Sequence, residues 1–402
     1  MTIGRRIVFL LILFRVAAVG AAQPVATSGS AGWRGRIVDR QTGEPLPFVT
    51  IFVASRRSGA VANAEGQYAL NIPGATATDT VAFSSVGYET YRIPLLKLTN
   101  TDAVVKLRRA VATLPEAIVR SVDAEELVRQ AIARVGKNYP DHPVLMQGFY
   151  REWVKEKAYL VFAEGALELY KASYKSGRSD EVRLLKGRRK ALAPYVLVNS
   201  DTCRIPPITN GPHLGILLDV VKNTNGENSF LIQSRLADYL FTYDGMTTLD
   251  GNDVVVIGFA ARPGALQAYF TGQLLIDRTM KAIIRADYNL SPQGMAIVNQ
   301  SLRRAWLPLQ LRQRRYVVNY RRQADRWYLQ HAWAANEYQY TARRMNPIRS
   351  RMDFVVTSTS DENVHRFAKK DIIRVDQTFA EEVRAFDDSF WLGQTIIVDD
   401  QP

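Results

Sequence analysis

Short runs of alternating apolar residues, each cut off by turn-forming residues, restrict this chain more than any other feature it has. Val49, Ile51 and Val53 form one such run, Tyr68, Leu70 and Ile72 a second, and Val81 and Phe83 a third. A period of two lays apolar side chains on one face of an extended strand, whereas a helix would repeat them every three to four residues. Each run stops at Gly, Pro, Asn or Asp. Thr42-Gly43 supplies a position that accepts positive φ, and Pro45 and Pro47 cannot donate to a central ladder. Asn63-Ala64-Glu65-Gly66 and Gly87 end further runs in the same way. About seven strands in so short a stretch suit an immunoglobulin-like or prealbumin-like sandwich of ~100 residues. Residues 33–120 are therefore expected to form a small β-sandwich, without a catalytic core.

The string GRIVDRQTGEPLPFVTI at residues 35–51, Asn63-x-Glu65-Gly66-x-Tyr68-x-Leu70-x-Ile72, and FSSVGYE at 83–89 together resemble the carboxypeptidase regulatory-like domain. Ile37 stands where that family usually has Val. The resemblance implies a prealbumin-like accessory sandwich common in envelope proteins of Bacteroidetes-type bacteria, a module that accompanies peptidases without performing their chemistry.

Ahead of it, residues 1–22 read as a signal peptide, with basic Arg5 and Arg6, an apolar run at 7–14 and a small-residue cleavage region ending at Ala22. Arg15 interrupts the apolar stretch, which argues against a retained span needing ~20 apolar residues. Residues 23–32, small and polar, read as a linker. The formal charge is +13 over 402 residues, and loss of the first 22 leaves the chain basic. The length calls for more than one core. The lone Cys203 makes no internal disulfide and lies far from the predicted cut, so a lipid anchor there is not expected.

From 123 to 139 the pattern changes to helical spacing, with Leu127, Val128, Ala131 and Val135 on one stripe, Asp123 as cap and Gly136 as stop. This helix marks the start of a second domain at residues 121–402. Strands are expected at 145–154, 159–171, 238–243, 253–260, 268–276, 282–290, 310–321, 326–336 and 350–359, and a short helix at 213–222. The meander resembles the half-barrel of lipoprotein-sorting carriers of the bacterial envelope. FYRE at 149–152, KGRRK at 186–190 and FDDSFW at 386–391 also resemble the uncharacterised C-terminal region that accompanies the regulatory-like sandwich, and no activity comes with that likeness. The fold class is thus mainly β, a prealbumin-like sandwich followed by a larger antiparallel meander or half-barrel with a few helices.

The chemical motifs are sparse. His142, His213, His331 and His365 are mutually distant, and no H-E-x-x-H or H-x-x-E occurs, so no metal site and no cofactor is expected. There is no G-x-S-x-G elbow and no Gly-rich phosphate cradle. Cys203 lies in a polar, Pro-rich loop with nothing to depress its pKa. Glu125-Glu126 and Glu381-Glu382 suit first turns of helices, and Asp387-Asp388 a solvated helix end. The pairs Arg303-Arg304, Arg314-Arg315, Arg321-Arg322 and Arg343-Arg344 are interleaved with Tyr316, Tyr320, Trp327 and Tyr328. Export removes nucleic acid as a partner. The pairs are expected to guard edge strands, or to attract the chain to anionic envelope surfaces.

One polar constellation stands out. Arg151 and Glu152 interrupt an otherwise apolar strand, where buried charge needs partners. Glu164 and Glu168 on the next strand lie within cross-strand reach of Arg151. This is expected to be a structural ion pair or a ligand cluster, with no catalytic residue in the chain. The reading is a non-enzymatic envelope protein, periplasmic or outer-membrane associated, that binds or assembles with a protein or lipid partner. It has no transmembrane span after cleavage, and its second domain offers a concave face as the binding surface. Two alternatives stand beside it: a lipid or acyl carrier with a half-barrel cavity, and a carboxypeptidase-associated hydrolase. A TonB-dependent transporter, which often begins with such a sandwich, needs a barrel of 22 strands of about ten residues, more than residues 121–402 can supply.

Overall fold

The structure is a computed structural model that describes residues 32–398, apart from 73, 77, 100–101, 111–122, 193–195, 199–200, 204–218, 223–229, 267, 342–345, 374–378 and 384–397. The signal peptide, most of the linker, His213, most of the helix expected at 213–222 and the FDDSFW string lie outside the described residues. The described end of that helix, 219–222, is largely a turn.

Seven strands build the N-terminal sandwich: β1 (Trp33–Asp39), β2 (Thr50–Val53), β3 (Ser58–Val61), β4 (Gln67–Leu70), β5 (Thr80–Ser84), β6 (Tyr91–Pro94) and β7 (Ala103–Leu107). One sheet runs β4-β1-β7; the other, β3-β2-β5-β6, is continuous with the large sheet of the second region through the pairing of Ser58 with Ser358. The alternating residues fill the space between them: Val49, Ile51, Val53, Tyr68, Leu70, Val81 and Phe83 are all buried. The turns follow the sequence logic. Asn63 Oδ1 accepts from the amides of Glu65 and Gln67, and Gly66 sits at φ +73° where a Cβ would meet the Ile37 carbonyl oxygen at 2.6 Å.

The second region opens with α1 (Ala124–Ala133), capped by Asp123, whose carboxylate accepts from the Glu126 amide at 3.0 Å. Gly136 does not stop it. The helix breaks at Arg134 and a second turn, α2 (Val135–Asn138), contains Gly136. Then come β8 (Val144–Lys155), β9 (Tyr159–Lys171), β10 (Glu181–Leu192), the small β11 (Val196–Val198) and β12 (Asp201–Cys203) pair, β13 (Tyr239–Leu249), β14 (Asn252–Ala261), β15 (Phe270–Asp277) and β16 (Ile283–Leu290). The series ends with α3 (Pro292–Arg304), β17 (Leu309–Gln323), β18 (Arg326–Tyr340), β19 (Ile348–Ser360) and α4 (Phe379–Glu382). Antiparallel pairing runs β13 to β19 in order and continues β19-β8-β9-β10, a curled half-barrel sheet.

Sequence spacing missed two long elements and the short β11–β12 pair, which puts Cys203 at the end of a strand instead of in a loop. β10 carries the KGRRK string, read as a motif instead of a strand. α3 begins at Ser291, whose hydroxyl accepts from the Gly294 amide, with Pro292 in the first turn. The basic pairs of β17 also need correcting: both β17 and β18 are interior strands, so Arg314-Arg315 and Arg321-Arg322 do not guard an edge.

The inner face of the half-barrel is packed. Leu127, Val128 and Ala131 of α1, together with Phe230, Leu231 and Phe379, join Tyr150, Leu167, Tyr288, Tyr316 and Met352 of the sheet in one core. The concave surface expected to receive a ligand is therefore, among the described residues, filled with the protein's own side chains. The outer face receives the sandwich. Phe48, at φ +58° despite its bulk, drives its ring against His331 and Trp333 at centroid distances of 5.2 and 5.3 Å. Val61, Phe149, Val317 and Val355 complete that joint. A second tie lies at the far end of the sheet: Gly87 N donates to Thr248 O at 2.9 Å, and Ser84 and Thr90 hydroxyls donate to Asp250 Oδ1 at 2.8 and 2.5 Å. The sandwich thus touches both arms of the curled sheet.

Candidate functional site

The β8–β9 register sets Arg151 opposite Glu164, and the structure brings these two together. Arg151 Nε donates to Glu164 Oε2 at 2.6 Å, and Arg188 of β10 takes Oε1. All three side chains lie on the outer face, Arg151 and Glu164 buried. The other two sequence candidates do not join them. Glu152 points to the inner face, where it accepts from Tyr150 Oη at 2.8 Å and the Ala380 amide at 3.2 Å. Glu168, farther along β9, is held by Gln147 at 3.1 Å and by Arg183. Arg151 and Glu164 thus pair directly, and Glu152 and Glu168 are each held by other partners.

Cross-strand register continues the polar tract beneath the sandwich. Asp353 lies opposite Arg151, and His331 Nε2 donates to Asp353 Oδ1 at 2.7 Å while Nδ1 faces Asn319 Nδ2 at 3.2 Å. Both ring nitrogens of this fully buried histidine are occupied, which leaves neither for a nucleophile. Arg285 and Arg315 close on Asp287, the latter through two bonds of 2.9 Å. Burial pushes the Asp287 carboxyl up, but the two guanidinium groups outweigh it and hold the group below its ordinary value.

A second cluster lies on the inside. Lys171, fully buried, contacts Asp180 at 2.6 Å and Asp219 at 2.7 Å. Tyr174 and Tyr320 hydroxyls donate to the two oxygens of Asp219 at 2.7 and 2.6 Å. Burial would raise the Asp219 carboxyl, yet Lys171 and the phenols bring it below the carboxylate range. Burial, aided by Asp219, raises both phenols. Sequence reasoning missed this cluster, because Lys171 ends one strand and Asp219 stands beyond a long loop.

The open feature is elsewhere. Between the two ties of the sandwich to the half-barrel lies a cleft of about 460 Å³. Thr50, Phe52 and Ala82 of the sandwich form one wall, and Asp250, Arg321 and Trp327 of the half-barrel hairpins the other. Arg321 lies with its guanidinium carbon 3.4 Å from the Phe52 ring centroid, and its Nε donates to Gln330 Oε1 at 2.6 Å. Burial pulls its pKa down to about 9, an effect that Asp250 partly offsets and Arg57 reinforces. Trp327 is 4% exposed and its buried Nε1 has no hydrogen-bond acceptor. The sequence signal of this wall is the pair Arg321-Arg322 followed by Trp327-Tyr328, a pattern that also suits edge protection.

Among the described residues no group of three or more His, Cys, Asp or Glu gathers as a metal site, and no helix is long and apolar enough to cross a membrane. Residues 33–119 match the family model of the CarboxypepD_reg-like domain, the sandwich whose motifs stand at 35–51, 63–72 and 83–89. No curated protein matches the chain. Among solved structures, a DUF1329 family protein from Desulfovibrio piger is similar over 61% of this chain and 95% of its own, at 10% identity and a TM-score of 0.28.

Proposed function

We propose that this chain is a non-enzymatic binding or assembly protein of the cell envelope, in which the regulatory-like sandwich and the half-barrel together shape one ligand cleft. The observation that carries the reading is the contrast in satisfaction. The charged clusters around Glu164, Asp287 and Asp219 close on themselves, whereas the cleft at Arg321 stays open between the two modules. A carrier cavity inside the half-barrel is less well supported, because the inner face is packed with α1, Phe230 and Phe379. The exported location rests on the signal-peptide pattern of residues 1–22.

The test has two arms. Purified protein is assayed against chromogenic peptide, ester and phosphoester substrates, and is separately incubated with a small-molecule extract of the envelope fraction and examined by native mass spectrometry. The expected result is no turnover and a retained species that disappears when Ala82→Trp fills the cleft. Turnover abolished by a single substitution would overturn the proposal, and so would a retained species indifferent to Ala82→Trp.

A further inference from the structure

Arg321 differs from four charge-paired arginines of the outer face in its surroundings. Arg151, Arg188, Arg285 and Arg315 each touch a carboxylate. Arg321 has an amide oxygen at Nε and an aromatic ring beneath its plane, and no carboxylate contacts it among the described residues. A guanidinium carries five N–H donors in a rigid fork, so the Gln330 bond uses one and the fork's terminal nitrogens remain for another acceptor. The stack on Phe52 fixes the plane of that fork in advance.

The charge around it is unbalanced in the same direction. Arg92 and Arg322 also line the cleft, and Arg57 is near enough to disfavour the Arg321 cation. Against these stands Asp250, one of whose oxygens already accepts from two hydroxyls. Asp250 offsets the burial of Arg321 only in part; a partly desolvated cation with no carboxylate in contact is costly, and an anion entering the cleft would reduce that cost. Two features describe the rest of the ligand. Phe52, Ala54, Ala82 and Leu249 give the cleft apolar walls, and Trp327, whose buried Nε1 has no acceptor, also lines it. The volume suits a small molecule and is at the lower end of ligand pockets, ~300–1,000 Å³.

We propose that the cleft is an oxyanion site in which Arg321, pre-oriented by Phe52 and Gln330, receives the carboxylate or phosphate of a small amphiphile whose apolar body lies along Phe52, Ala82 and Leu249. This rests on the reading of the cleft as the binding site and adds the chemical class of its ligand. A carboxylate and a phosphate monoester present the same pair of oxygens to the fork.

The experiment is calorimetric titration of the mature protein with decanoate, decyl phosphate and uncharged 1-decanol. Charge-assisted bonds to a guanidinium predict that at least one anion binds about tenfold or more tightly than 1-decanol, and that the ratio shrinks in high salt. The tighter anion identifies the headgroup as carboxylate or phosphate. Arg321→Gln abolishes the ratio, and Arg321→Lys restores part of it, since a point charge lacks the fork. If Arg321→Gln fails to fold, the wild-type ratio and its salt dependence decide alone. Equal binding of 1-decanol and both anions, weakened by Ala82→Trp, overturns the oxyanion site while the binding cleft stands. Absence of binding by all three probes overturns the oxyanion site, and the envelope-extract experiment then decides the fate of the cleft.

Discussion

Arg151 and Arg321 are both drawn out of water on the same large sheet, and their surroundings differ in one respect that decides what each can do. Around Arg151 the strands supply Glu164, and Arg188 takes the second oxygen of that carboxylate. Around Arg321 they supply Gln330 and Phe52, which orient a cation without neutralising it. The first arrangement is complete when the chain folds. The second is complete only when something outside the chain brings a negative charge. Burial of a charge is thus a poor guide to function, and the presence or absence of its counter-charge is a better one.

The sharpest way to break this comparison is Glu164→Ala. It removes the carboxylate that Arg151 and Arg188 share and is expected to cost about 3–5 kcal/mol in urea unfolding. A loss below about 1 kcal/mol would mean that the cluster is not closed in the sense described. Acid comes next. Asp219 and Asp287 have folded pKa values below their ordinary ones, so their contribution is present above the unfolded value of about 3.9 and is lost as pH falls through the folded values. Melting temperature should stay level from neutrality to about pH 5 and fall below about pH 4, with a shallower fall in Asp219→Asn. A melting curve indifferent to acid would contradict the closed clusters. The smallest effect belongs to Arg321→Gln without ligand. Loss of the stack on Phe52 and relief of an uncompensated charge oppose each other, leaving stability unchanged or raised by up to about 1 kcal/mol. A larger destabilisation would place Arg321 with Arg151 as a structural residue.

The local parts of this fold are legible in the sequence. Alternation at Val49, Ile51 and Val53 is a property of a few adjacent residues, and the turns that stop each run are local as well. The Arg151–Glu164 pair was readable because its strands are joined directly. α3 has a legible pattern, with Met295, Val298 and Leu302 at helical spacing behind Ser291-Pro292, but these side chains are only half-buried against the sheet. The pairing of β10 with β9 escaped because its basic string resembles a motif. Arg321 on Phe52 and Lys171 on Asp219 could not be read at all. The members of each pair are far apart in the chain, and only the docking of the sandwich or the closing of a long loop brings them together.

The most direct test of the ligand cleft uses the indole group of Trp327. The protein has six tryptophans, and the Trp327 indole resonance in a proton–nitrogen correlation spectrum is assigned by its loss in Trp327→Phe. On titration with the tighter of decanoate and decyl phosphate, that resonance should move to saturation while the other indole signals stay in place, and the movement should vanish in Arg321→Gln. A spectrum in which Trp327 stays still while another tryptophan responds would contradict the account.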